Sequence, residues 1–196
     1  MEVLCCLIDS MPSLNQPYAD VFCFMVDDDL MIETTILDIP VIPFSSFDPA
    51  LYSVVVAIGD PQRRKAFVHQ MPETTDYITV IHPSAVVSKW VTIGEGSIIT
   101  AGAVLTYNIR LGRHSQVNLL STIGHDCQMG DYFTTAPSVN ISGNCKAGES
   151  VYFGTNSCIR EGVTICANVT IGMGSVVLND ISEAGVYVGN PLKKLN

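Results

Sequence analysis

The sequence predicts two units in series, a small α/β unit and then a parallel β-helix. Three observations predict this. Residues 81–182 divide into seventeen consecutive hexads with nothing inserted or lost. Sixteen of the seventeen first positions are apolar, from Ile81, Val87 and Ile93 through to Ile171 and Val177, with Thr135 the exception. Before the hexads, apolar runs at residues 21–26 and 54–58 end in Asp or Gly-Asp and alternate with helical patterns.

A six-residue period fits neither an amphipathic helix nor a simple alternating strand. The second hexad position is often Gly, as at Gly94, Gly124 and Gly154, and the fifth is small or aliphatic, as at Ser97, Cys127 and Val163. This pattern resembles the hexapeptide repeat of left-handed β-helix acyltransferases. The resemblance implies a triangular coil with three hexads per turn, so that residues eighteen apart stack at the usual strand spacing of about 4.8 Å.

Composition narrows the function classes. With 47% hydrophobic residues and a mean hydropathy of +0.33, the 196-residue chain can fill a core. A net charge of −9 argues against nucleic acid as the main partner. No apolar run reaches membrane-spanning length, and the start has no basic leader, so neither a membrane partner nor a signal peptide is expected. Seven scattered cysteines suggest a reducing, cytoplasmic setting without a disulfide framework. Cys127 and Cys145 should stack on adjacent coils, as buried packing or as a redox pair.

In chain order, residues 2–11 have helical apolar spacing, which Pro12 ends. The runs at 21–26, 54–58 and 78–81 read as strands, and 62–71 as a helix. Together, 1–80 reads as a Rossmann-like unit, with ligand groups at its strand ends, that lacks its first strand and Gly-rich turn, and the true start is expected upstream. Asp27, Asp28 and Asp29 are either a solvated strand end or an acidic cluster that reads a nucleotide's base or ribose. Gly59 and Asp60 are similarly placed after the next strand. Arg63, Arg64 and Lys65 read as an exposed helix face more readily than as a phosphate site. Residues 81–182 form the β-helix, and 183–196 should fold over its last coil and protect the edge. Lys193 and Lys194 in that tail are either solvated or in contact with a cofactor phosphate.

Stacking by eighteen places His125 between Tyr107 and Gly143. Gly143 has no side chain, so it opens a notch beside the imidazole where a backbone N–H could face an oxyanion. A base beside such a donor is what acyl transfer needs. His82 reads as structural, and His114 has no acidic neighbour.

Here the resemblance sharpens. The run Asn118-Leu119-Leu120-Ser121-Thr122-Ile123-Gly124-His125-Asp126-Cys127, with Ser142-Gly143-Asn144 one coil on, looks like bacterial nucleotide-sugar N-acetyltransferases of the sialic acid O-acetyltransferase-like family. Asp27-Asp28, Ala57-Ile58-Gly59-Asp60, Ile81-His82-Pro83-Ser84-Ala85 and Tyr187-Val188-Gly189-Asn190-Pro191 fit the same family. The resemblance implies a homotrimer with active sites between β-helices. It implies His125 as general base, Asp126 as the acid that raises its basicity, Asn118 as a positioning group and the Gly143 N–H as carbonyl donor. It implies acetyl-CoA along a cleft near Thr134, Thr155 and Met173, with Lys193 at a phosphate. The nucleotide-linked amino sugar would lie on Asp27, Asp28, Gly59 and Asp60. The chain departs from the family pattern at Thr134, where relatives often carry His, at Met173, and in lacking the Gly-rich loop.

The reading is an acetyl-CoA-dependent N-acetyltransferase acting on a nucleotide-linked 4-amino-4,6-dideoxy hexose in surface-glycan synthesis. Sugar O-acetylation is the close alternative, and a carbohydrate-binding scaffold the non-enzymatic one. A zinc hydratase on the same fold would need three converging histidines. His114 and His125, eleven apart, do not stack, so no metal is expected.

Overall fold

The structure is a computed structural model that describes residues 2–11 and 16–195. Pro12, expected to end the first helix, lies outside the described residues. Helix α1 spans Glu2–Ser10 and packs Leu4 and Cys6 inward. Its Asp9 meets His82 Nε2 at 2.9 Å, which ties α1 to the first coil and gives His82 the structural role expected of it.

The N-terminal segment differs from the single alternating sheet that was expected. Strands β1 (Phe24–Val26), β2 (Thr35–Ile36) and β3 (Ile39–Pro43) form one sheet in the order β1-β3-β2. Strand β4 (Ser53–Val54), helix α2 (Pro61–Val68) and strand β5 (Asp76–Tyr77) form a separate β-α-β unit. The β1·β3 and β4·β5 pairs are parallel, as a Rossmann-like unit requires, but they belong to two sheets. The expected strand at 54–58 is cut to two residues, and the expected strand at 78–81 contributes β6 (Val80–Ile81) to the coil.

From β6 onward the hexads form a three-sided coil in the predicted register. Each two-residue strand spans the sixth position of one hexad and the first of the next. Leu105 therefore pairs with Val87 below and Ile123 above, a step of eighteen residues. The first-position side chains point inward, and from Ile99 to Val177 all are buried, Thr135 included. Fourth-position residues turn the corners with positive φ, which Gly and Asn adopt most readily. Second-position glycines lie against the next coil: a Cβ on Gly124 would come within 2.6 Å of the Gly143 nitrogen. Cys127 and Cys145 stack as expected, both buried thiols without a disulfide. Beyond the hexads, Gly185–Val188 extends one face in parallel with Val169–Ile171, and Lys193–Lys194 closes it antiparallel. Among the described residues no helix is long and apolar enough to cross a membrane.

Candidate active site

His125 sits at the corner after the strand Thr122–Ile123, with about half of its side chain exposed. Its Nδ1 meets Asp126 Oδ2 at 2.8 Å. An ionised carboxylate there accepts the Nδ1 proton, so Nε2 keeps its lone pair. Asp126 is itself fixed: its backbone is left-handed (φ 61°), its N–H donates to Tyr107 O at 3.0 Å, and Asn108 Nδ2 donates to its Oδ1 at 2.6 Å. The Asn108 hydrogen bond, and after it the one from His125, holds the Asp126 carboxyl below its ordinary pKa.

Gly143 lies on the next coil, where the eighteen-residue step places it. A Cβ built on it would stand 2.6 Å from both Cε1 and Nε2 of His125. The lone-pair edge of the imidazole therefore faces the Gly143 backbone across a gap that only glycine leaves. Among the described residues the Gly143 N–H has no hydrogen-bond partner within the chain. A base and an N–H without a partner thus stand on adjacent coils, the two kinds of group that acyl transfer needs. Among those residues no group of three His, Cys, Asp or Glu could hold a metal ion.

A second feature lies along another face of the coil. A cleft of about 590 Å³ is lined by Gly59, Asp60, Asn118, Thr134, Thr155 and Asn168, among others. It gathers two of the four expected sugar-binding residues, two of the expected cofactor residues, and Asn118. Asn118 is thereby set apart from His125, and its Nδ2 donates to Thr135 O at 2.7 Å. Asp60 is the N-cap of α2, its Oδ1 accepting from Arg63 N at 2.8 Å. Met173 is the residue one coil above Thr155 and is largely exposed. Lys193 is on the closing strand, and Asp27 and Asp28 lie beyond β1, where Asp28 Oδ1 accepts from Ser45 N at 2.9 Å. None of these four lines the cleft.

Two residues depart from expectation. Arg64, read as part of an exposed helix face, is fully buried, because α2 lays that side chain against the first face of the coil. Burial pulls its pKa down to about 10, which leaves it charged at neutral pH. His114 is also fully buried, stacked on Tyr132 at 5.4 Å and meeting Tyr77 edge-on at 4.6 Å, and among the described residues neither ring nitrogen has a hydrogen-bond partner. Burial first, then the Arg113 cation, takes its pKa from 6.5 to about 4. Below pH 6.5 an unfolded chain takes up a proton that the folded one refuses until about pH 4. Stability should therefore fall between those values, by about 3 kcal/mol from this group. In thermal melts from pH 7 to pH 4, His114→Phe should remove much of the slope; an unchanged slope would assign it to other groups.

A hexapeptide β-helix bearing an acid-oriented histidine beside a glycine corner defines the acyltransferase class of these coils. No protein-family profile matches the chain. It is 32% identical over 112 residues to GDP-perosamine N-acetyltransferase of Escherichia coli O157:H7, a match that covers 57% of this chain and 51% of that protein. The chain thus spans about half the length of that relative, and about a third of the next curated ones. PerB from Caulobacter crescentus, solved with CoA and GDP-perosamine, superposes with a TM-score of 0.80 at 29% identity, covering 88% of this chain and 84% of that one. WeeI from Acinetobacter baumannii AYE gives a TM-score of 0.89 at 30% identity, covering 99% of this chain and 93% of that one. The chain belongs to the hexapeptide-repeat sugar acetyltransferases, and its coil is the left-handed β-helix of those structures.

Proposed function

We propose that the protein transfers an acetyl group from acetyl-CoA to the amine of a nucleotide-linked 4-amino-4,6-dideoxy hexose. The carrying observation is the His125 edge: Nδ1 tied to Asp126, and Nε2 facing the Gly143 backbone. The unprotonated sugar amine attacks the thioester carbonyl directly. The carbonyl oxygen, gaining negative charge, is held by the Gly143 N–H. His125 Nε2 takes the proton that the amine sheds and returns it to the departing CoA thiolate, so amide and thiol form with the base restored.

The separation of His125 from the cleft supports a homotrimer. One substrate reaches both features only where a second copy brings its own Asp60 cleft to this His125, and exposed apolar side chains such as Leu120 and Met173 offer contact surface. On this reading residues 1–80 hold the nucleotide sugar, with Asp27 and Asp28 on the base and Gly59 and Asp60 beside the sugar. The coil, 81–182, performs the transfer, Thr134, Thr155, Met173 and Lys193 lie along the CoA path, and 183–196 caps it. Seven scattered cysteines suit a cytoplasmic setting.

The test is CoA release from acetyl-CoA with GDP- and UDP-linked 4-amino-4,6-dideoxy hexoses, each beside its 4-hydroxy counterpart. Release with an amino sugar alone is the expected result. Release with the hydroxy sugar alone would make the enzyme an O-acetyltransferase, and release with neither would overturn the reading.

A further inference from the structure

The buried face between α2 and the coil holds a cation that, among the described residues, has no carboxylate bonded to it. The Arg64 guanidinium spends all five of its N–H groups on neutral acceptors. Nε donates to His114 O at 3.0 Å, and Nη2 to Tyr132 O at 2.8 Å and Thr134 Oγ1 at 2.6 Å, all three on the coil. Nη1 donates to Ile58 O at 2.6 Å and Gly59 O at 3.2 Å, on the loop that enters the cleft. From the coil side, buried Gln116 donates through Nε2 to Val56 O at 3.0 Å and Ile58 O at 3.2 Å. These bonds to carbonyls and one hydroxyl together fix residues 56–59 against the coil.

An apolar side chain would join helix to coil with less desolvation than a buried charge. What the guanidinium supplies is direction: a planar fork whose bonds hold only at one placement of the loop. Residues 55–58 contribute no regular ladder beyond Val54, so these side chains set where Gly59 and Asp60 stand in the cleft. We infer that Arg64 and Gln116 are positioning residues for the nucleotide sugar, acting through the carbonyls of Val56, Ile58 and Gly59 to hold the Gly59-Asp60 corner in its binding position. This rests on the proposed reading of the Gly59-Asp60 corner as part of the sugar-nucleotide site. The Arg64 fork also ends on Thr134, a residue of the proposed CoA path, whereas the Gln116 amide bonds only Val56 and Ile58, so losing the Gln116 half should influence sugar binding and leave the thioester side alone.

The experiment compares wild type, Arg64→Lys and Gln116→Met. Lysine keeps the charge without the fork, and methionine keeps the length without the donors. KM for the nucleotide amino sugar should rise about five- to tenfold in each, the scale of one or two lost net hydrogen bonds. The Gln116 amide reaches no residue of the proposed CoA path, so in Gln116→Met KM for acetyl-CoA and kcat should stay within about twofold of wild type by the same scale. A folded variant that melts cooperatively with an unchanged sugar KM would overturn the inference. So would a parallel rise in both KM values in Gln116→Met, or failure of both variants to fold, since each is what a purely structural role produces. Wild type without activity on any nucleotide amino sugar would instead bring down the proposed function itself, and this inference with it.

Discussion

Replacing His125 with alanine should lower kcat for sugar acetylation by at least about a hundredfold, the lower end of what a positioned general base contributes. The change removes the group that accepts the amine's proton and leaves the rest of the site in place. His125 is half exposed and among the described residues its side-chain partner is Asp126 alone, so the melting temperature should scarcely move. Acetyl-CoA affinity by calorimetry should hold, because the Gly143 backbone and the cleft are untouched. Asp126→Asn should show a milder loss: the amide keeps the shape but no longer holds the Nδ1 proton with a charged acceptor, so the tautomer that frees Nε2 is less favoured. A kcat within about tenfold of wild type in His125→Ala, well short of a general base's usual contribution, would remove the histidine from the chemistry and turn attention to water as proton acceptor.

The coil is legible in the sequence because its rule converts residue number into position without ambiguity. A period of six on a three-sided coil makes every residue the neighbour of the one eighteen away, and that spacing alone sets Gly143 beside His125. The same rule reaches Asn108, eighteen before Asp126, whose amide completes the acid's hydrogen bonds. A corner asparagine carries no motif that marks it as such a partner. The N-terminal part follows no such rule. Strand β3, Ile39–Pro43, escapes a sequence reading because prolines at 40 and 43 argue against a strand, yet it is the central strand of its sheet. There Pro40 is the last β3 residue in the antiparallel pairing with β2, and Pro43 the last in the parallel pairing with β1. Arg64 escapes for another reason. Three consecutive cations on a short helix without an apolar stripe look solvated, and what buries the middle one is carbonyls at His114 and Tyr132, 50 and 68 residues away. His114 is hidden by the same face, through aromatic rings from Tyr77 and Tyr132 that no local pattern connects.

Gly143→Ala should separate catalysis from folding at a single carbon atom. The backbone at Gly143 lies outside the left-handed region, so alanine can adopt it and the coil should keep its stability. The new methyl has nowhere to go except the gap facing the imidazole, where it would stand 2.6 Å from Cε1 and Nε2. The ring must rotate away, which strains the 2.8 Å bond to Asp126 and screens the Gly143 N–H from a thioester carbonyl. Loss of one oxyanion donor alone lowers kcat about a hundred- to a thousandfold, and displacing the base adds to it. Gly124→Ala is the contrasting variant. Its methyl would meet the Gly143 nitrogen and the Ser142 carbonyl carbon, backbone that belongs to the stack and cannot swing aside. Melting temperature should drop there, with activity lost only in proportion to unfolded protein. If Gly143→Ala instead melts early and retains its kcat when folded, the open corner serves the packing of the coil, and the oxyanion donor must be sought elsewhere.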